Sequence, residues 1–191
     1  MGRPRRITDE QIDDAARATF LEHGAAAPVS RIAEKLGVSH AAVLQRVGSK
    51  EQLLLRAARP GVPGIIASLE QPPPRTGRAA RLEQLLLELL EFHERILPGI
   101  VMLRSTGRAA WSQAGEPPTL LLRARLVRWL KRAGVPAART AAVAEGLLGA
   151  IEARCFNAYL GGASFVAPDS RRFLRSLVTG LVPELHEGKR P

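Results

Sequence analysis

The chain has 191 residues and carries 28 Lys and Arg against 18 Asp and Glu, a net charge of +10. Apolar residues make up 46% of it, too many for a disordered chain, and no apolar run nears the ~18 residues that a membrane span needs. The charge points towards polyanions, yet only four of the basic residues are Lys, a bias that coding composition alone can produce.

One cysteine, Cys155, excludes an intrachain disulfide and fits a reducing compartment. The opening MGRPRRITDEQ is charged with no apolar stretch behind it, so the sequence predicts a cytoplasmic protein without a signal peptide.

The pattern is helical nearly throughout, without period-2 alternation. Thr8 caps a first helix, Gln11 completes a capping box, and Ile7 and Ile12 stand as a hydrophobic staple. Ile12, Ala16 and Phe20 recur at helical spacing until Gly24 stops them. A second helix runs from Pro28 to Leu36, and Gly37-Val38-Ser39 interrupts it. Ser39 caps a third helix to Val47, and Ser49 caps a fourth from Lys50 to about Arg59. Breakers at 60–64 and 71–77 then flank a short apolar piece, Ile65 to Leu69. Arg78 to Leu97 reads as an amphipathic helix, and Pro98-Gly99 as the start of a shorter segment to about Ala110. Further helices are expected over 117–133, 136–160 and 169–187. The expected fold is all-α, with a head over residues 1–59 and a larger helical domain over 60–191.

Residues 29–47 carry the pattern of a helix-turn-helix. Ile32, Leu36, Val38 and Val43 are apolar where two short helices must bury against each other, and Ala33 is small enough to let them approach. Gly37 stands in the turn, where positive φ is needed. Arg-Ile-Ala-Glu-Lys-Leu-Gly-Val-Ser at 31–39, followed by Gly-Ser-Lys-Glu-Gln-Leu at 48–53, resembles the TetR family of bacterial transcriptional regulators. The motif resemblance spans roughly residues 8–55; beyond it, only length and helical character agree. It implies a three-helix DNA-binding head joined by a connecting helix to an effector-binding and dimerisation domain. It implies a homodimer, usually a repressor, that leaves a palindromic double-stranded operator when a small molecule binds.

The chain departs from the family pattern in places. Ala27-Pro28 stands where a Thr or Ser commonly caps the second helix, and Ala42 replaces a frequent Thr. Leu44 and Val47 occupy positions that often hold Tyr and Phe, which keeps the apolar packing and removes a phenolic phosphate contact.

A recognition helix sets its exposed N-terminal residues against base edges. With Val43 and Val47 inward, His40, Ala41, Gln45 and Arg46 face outward. Gln45 suits an adenine edge, Ala41 leaves room for a thymine methyl, and Arg46 can reach guanine or phosphate. Ser39 and Lys50 lie at helix N-termini that favour phosphate, and Arg3, Arg5 and Arg6 form an arm suited to a minor groove or simply to solvent.

For the larger domain, the resemblance places dimerisation on the last two helices, with Gly146, Leu147, Gly149 and Ala150 on one and Phe173, Leu177 and Leu181 on the other. The alternative is that both helices are intramolecular core. The resemblance also places an effector pocket among the helices after the head. Its candidate lining is Phe92, His93, Met102, Trp111, Trp129, Cys155, Phe156 and Tyr159, each of which also reads as plain core, with Arg104, Glu152 and Arg154 as polar anchors or equally a solvated face. Cys155 suits a redox sensor or, more simply, a small core hydrophobe.

No cofactor, metal site or catalytic residue is expected. His93-Glu94 lacks the second His of a zinc-hydrolase helix, and there is neither a G-x-S-x-G elbow nor a Walker-type loop. A head that contacts a protein instead of DNA is the rival reading, and it would show an apolar or acidic third helix rather than His40, Gln45 and Arg46. Residues 1–59 hold ten basic and seven acidic side chains, against 18 and 11 in the remainder. The excess charge is therefore not concentrated in the head, and the ordered motif carries the DNA-binding expectation.

Overall fold

The computed structural model describes residues 7–58, 63–105 and 118–186. They are all-helical: α1 Asp9–His23, α2 Val29–Leu36, α3 His40–Val47, α4 Lys50–Ala58, α5 Pro63–Glu70, α6 Arg78–Ser105, α7 Pro118–Arg132, α8 Ala137–Leu160 and α9 Ser170–Leu181, followed by a 3-10 turn, Pro183–Leu185. The residues group into two units. One holds α1–α4 with the end of α6 from Pro98 onward, and the other holds the rest.

Local chemistry explains the helix ends of the first unit. The Thr8 hydroxyl accepts from the Gln11 amide at 3.1 Å, while the Thr8 amide donates to the Gln11 side chain at 2.9 Å, so the capping box closes. At the end of α2, Gly37 takes φ 68° and ψ 35°, and Val38 N–H donates to the Ala33 carbonyl at 3.0 Å. That left-handed stop turns the chain between α2 and α3, and a side chain there would strain it. Ser39 then caps α3 through the Ala42 amide.

Ile12, Ala16 and Phe20 of α1, Ile32 and Ala33 of α2, Val43 and Val47 of α3, and Leu53 and Ala57 of α4 bury together as one core. Leu36, Val38 and Leu44 pack on its edge, half-buried.

Leu103 of α6 joins the same core, where the sequence suggests a separate segment starting at Pro98. The structure corrects that expectation: Pro98 lies inside one continuous helix. Pro98 has no N–H to donate within the helix, but burial of Leu103 offsets the loss. Gly99 lets the helix approach α4, because a Cβ there would lie 2.7 Å from the Ala58 carbonyl oxygen.

In the second unit, α5 packs on α7, α7 on α8, and α8 on α9. Leu82, Leu85, Leu86, Leu89 and Phe92 of α6 and Trp129 of α7 are fully buried. Arg132 closes the end of α5 by donating to the Leu69 and Glu70 carbonyls at 3.0 and 3.1 Å. The last helix is shorter than its sequence pattern suggests. Pro183 forces Val182 out of the helical region, to φ −137° and ψ 53°, and α9 ends at Leu181. None of the described helices is long and apolar enough to cross a membrane.

Candidate nucleic-acid interface

The helix-turn-helix presents α3 with one face buried and the other open. Val43 and Val47 point into the head core, while Ser39, His40, Ala41, Ala42, Gln45 and Arg46 are exposed. His40 and Gln45 make no side-chain hydrogen bond among the described residues, so their donors and acceptors are available to a base edge. Ala41 adds a methyl between them in sequence and no polar group. Ser39 Oγ is already an acceptor for the Ala42 amide, although its hydroxyl proton remains to be donated.

The two cations on this face are tied into the head. Arg46 Nε lies 2.5 Å from Asp9 Oδ1, and its Nη1 donates to the Ile7 carbonyl. Lys50 Nζ donates to the Ala26 carbonyl at 2.8 Å, which ties the start of α4 to the loop before α2. Neighbouring pairs continue this bracing: Arg56 meets Asp13 at 2.9 Å, half-buried, and Lys35 meets Glu22 at 3.3 Å. Arg3, Arg5 and Arg6 lie outside the described residues. Sequence reasoning named Arg46 and Lys50 but not the acceptors that hold them, because Asp9 and Ala26 are distant in sequence and carry no motif.

The residues proposed from sequence for an effector site divide between the units. Met102 packs on the head core, and Trp111 lies outside the described residues, as does the side chain of Arg104. Phe92, His93, Trp129 and Cys155 are buried in the second unit, Tyr159 is half-buried, and Phe156 is 48% exposed. His93 Nδ1 donates to the Leu89 carbonyl at 2.7 Å, which leaves Nε2 as a bare acceptor 3.9 Å from Glu152. Burial holds the imidazole below its usual pKa, against the opposing pull of the Leu89 bond and of Glu152.

Burial also pushes the Cys155 thiol up to about 12, the opposite of a reactive thiolate. His93 Nε2 and Trp129 Nε1 are both buried without a hydrogen-bond partner among the described residues. A cleft of about 660 Å³ opens elsewhere in this unit, among Ala150, Arg154 and Asn157 of α8, Phe165 and Phe173. Arg154 binds Asp169 there at 2.7 Å and lies over the Phe173 ring.

Of the residues proposed for a dimer interface, Leu147 is fully buried within the chain, whereas Gly146 and Gly149 are exposed. Ala150, Phe173, Leu177 and Leu181 are half-buried. Gly146 and Gly149 belong to a longer exposed stripe on α8 that also includes Ala142, Ala153, Phe156 and Leu160, the last 69% exposed. These positions alternate by four and three residues along α8, so they share one face of it. Sequence reasoning left Leu160 out, although the spacing was there to read. Among the described residues no group of three or more His, Cys, Asp or Glu side chains could hold a metal ion.

Residues 12–57 match the family of bacterial regulatory proteins, tetR family. Solved structures agree over nearly the whole chain. A TetR-family transcriptional regulator from Mesorhizobium loti MAFF303099 superposes with a TM-score of 0.67 at 18% identity, covering 94% of this chain and 95% of that one. A tetR-family regulator from Streptomyces coelicolor gives 0.63 at 21% identity, covering 95% of this chain and 80% of its own. A third structure, described as the molecular basis for control of antibiotic production by bacterial hormones, gives 0.56 at 19% identity over 95% of this chain and 97% of its own. Identities this low speak for the fold alone, and no curated protein matches the sequence. Residues 12–57 are therefore a helix-turn-helix head of the tetR-family type, carried on a fold that this chain shares along its length with solved TetR-family regulators.

Proposed function

We propose that this DNA-binding regulator acts as a homodimeric repressor in the cytoplasm, reading a palindromic duplex and leaving it when a small molecule binds. Residues 1–59 form the DNA-binding domain in this reading, and residues 60–191 the effector-binding and dimerisation domain. The observation that carries it is the open face of α3, where His40 and Gln45 stand exposed and unpartnered opposite a face sealed by Val43 and Val47. Lys50 and the arm residues Arg3, Arg5 and Arg6 supply positive charge for the flanking phosphates or the minor groove.

The exposed stripe on α8 supports the dimer. Its small residues let a second copy of the helix approach, and Phe156 and Leu160 supply apolar area that a monomer leaves in water. The effector reading rests on the orphaned His93 Nε2 and Trp129 Nε1, since buried polar groups in an otherwise apolar interior seek partners. The structure that speaks of bacterial hormones favours it as well. No enzymatic role enters this reading.

The test is selection of bound duplexes from random sequence by the full chain, repeated with candidate small molecules present. The expected result is enrichment of an inverted repeat bound far more tightly than random DNA. Equal binding of selected and random duplexes at physiological salt would sink the reading. A repeat whose binding no tested compound weakens leaves the DNA-binding part standing and counts against effector release.

A further inference from the structure

Helix α7 carries basic side chains at 123, 125, 128, 131 and 132 and no acidic one. Arg125, Arg128 and Arg132 stand three and four residues apart, so they share one face of the helix. Together with Leu69 and Glu70 at the end of α5 they line a cleft of about 270 Å³. Part of this arrangement serves the fold. Arg132 donates to the Leu69, Glu70 and Gln71 carbonyls at 3.0, 3.1 and 3.4 Å, which closes the end of α5. Arg125 Nη1 lies 2.7 Å from Glu70 Oε1 and offsets that carboxylate. Two donors are left over. Arg125 Nε is buried without a hydrogen-bond partner among the described residues. Arg128 is exposed and has neither an ion pair nor a hydrogen bond among them.

We propose that this cleft between α7 and the end of α5 binds a small oxyanion, the phosphoryl or carboxylate group of a small molecule, on Arg125 Nε and the Arg128 guanidinium. A buried N–H left unpaired costs more than a made hydrogen bond returns, so an acceptor brought to Arg125 Nε relieves a penalty that the fold alone carries. Guanidinium groups meet oxyanions through paired N–H donors, and Arg128 has its whole fork free for this. Three guanidiniums face one carboxylate in the cleft, and that carboxylate is already offset by Arg125. The volume lies just under the ~300 Å³ at which pockets for larger ligands begin, which suits an ionic group rather than a bulky apolar body. The site uses no residue assigned above to DNA or to the effector, so it stands apart from the proposed function. It also gives a role to part of the positive charge that lies outside the head.

The experiment titrates the full chain, free of DNA, with inorganic phosphate and separately with succinate, at an ionic strength held constant with chloride. Calorimetry follows tight binding, and the phosphorus NMR line width follows weak binding of phosphate. The variants are Arg128→Gln, Glu70→Gln and, as a control for charge alone, Lys131→Gln on the same helix but outside the cleft lining; thermal melting confirms that each is folded. At least one of the two anions should bind saturably, and which one does tells a phosphoryl ligand from a carboxylate ligand. Arg128→Gln should weaken that binding about tenfold or more, the scale of a lost hydrogen bond to a charged group. Lys131→Gln should leave it within about twofold, because a solvated charge outside the cleft is screened. Glu70→Gln should tighten it several-fold, since it removes the carboxylate that repels the anion and frees Arg125 Nη1.

Three results would overturn the proposal. In the first, neither anion binds beyond what chloride does. In the second, Arg128→Gln and Lys131→Gln weaken binding equally, which makes it a property of the net charge and not of the cleft. In the third, Glu70→Gln leaves binding unchanged or weaker, which places the anion away from Arg125. None of these outcomes touches duplex recognition by α3, and a chain that fails to select a duplex can still bind the anion, so the two readings fail separately.

Discussion

The head and the larger helical unit each bury a core of apolar side chains, but they differ in what holds their helix ends and in what they leave open. In the head, short helices are stopped and started by local devices: the Thr8–Gln11 box, Gly37 in the left-handed region and Ser39 on the Ala42 amide. In the larger unit, Arg132 reaches the α5 carbonyls across more than sixty residues, and Glu94 binds Ser164 and the Phe165 amide from a similar distance in sequence. The head leaves a polar face of α3 in water, whereas the larger unit leaves an apolar stripe on α8 in water; each also holds buried polar atoms without a hydrogen-bond partner among the described residues, among them Thr19 Oγ1 in the head and His93 Nε2 and Trp129 Nε1 in the larger unit.

The widest expected effect falls on the α8 stripe. Phe156→Asp with Leu160→Asp should turn a dimer into a monomer in sedimentation at micromolar concentration. Phe156 is 48% and Leu160 69% exposed, so losing the burial of both on both copies costs about 3.5–7 kcal/mol of association, scaled from ~1.5–3 kcal/mol for a fully buried side chain. A double variant that sediments as the wild type does would mean that this unit presents the stripe to something else.

Next comes the head core. Phe20→Ala removes a fully buried ring and should cost about 3–5 kcal/mol of stability. Denaturant unfolding should show the head melting ahead of the larger unit, with loss of duplex binding. A single unshifted transition would show that the two units share their stability.

A smaller effect is expected at the reading surface. Gln45→Ala should lose about 1–3 kcal/mol of discrimination at one position of the selected duplex, with little change on random DNA. Uniform weakening on every sequence would instead make Gln45 a backbone contact.

The smallest effect belongs to the buried histidine of the larger unit. Burial lowers the pKa of His93 in the folded chain, so below its ordinary value of 6.5 the unfolded chain binds the extra proton first. Its contribution is fully present above about pH 6.5 and is lost as pH falls from there, at no more than about 1.4 kcal/mol per pH unit. His93→Gln should flatten the stability profile between pH 6.5 and 5, as measured by denaturant unfolding. An equally steep profile would place the acid sensitivity on other groups.

Most of the head was legible because its signals are local. A capping box, a staple, a Gly between two short amphipathic helices and a Ser before the second all lie within a few residues of the structure that they dictate. The outward set of α3 followed from helical spacing alone. What escaped was pairing at a distance: nothing near Arg46 announces Asp9 and Ile7, and nothing near Lys50 announces Ala26.

Along α6 the errors have the same origin. Pro98 reads as a break because it removes a helix hydrogen bond, yet α6 continues since Leu103 is buried in the head core and Gly99 admits the Ala58 backbone. Met102 looks like its apolar neighbours in sequence, but it packs on the head core while Phe92 is buried in the larger unit.

By itself, then, the sequence determined the helical class, the helix-turn-helix and which face of α3 meets water, because periodicity and capping act over single turns. Only the tertiary structure decided which cations are tied down, which apolar residues on α8 remain outside, and which buried polar atoms lack partners. Those outcomes depend on contacts between residues far apart in the chain. No local pattern encodes the partner of a long side chain.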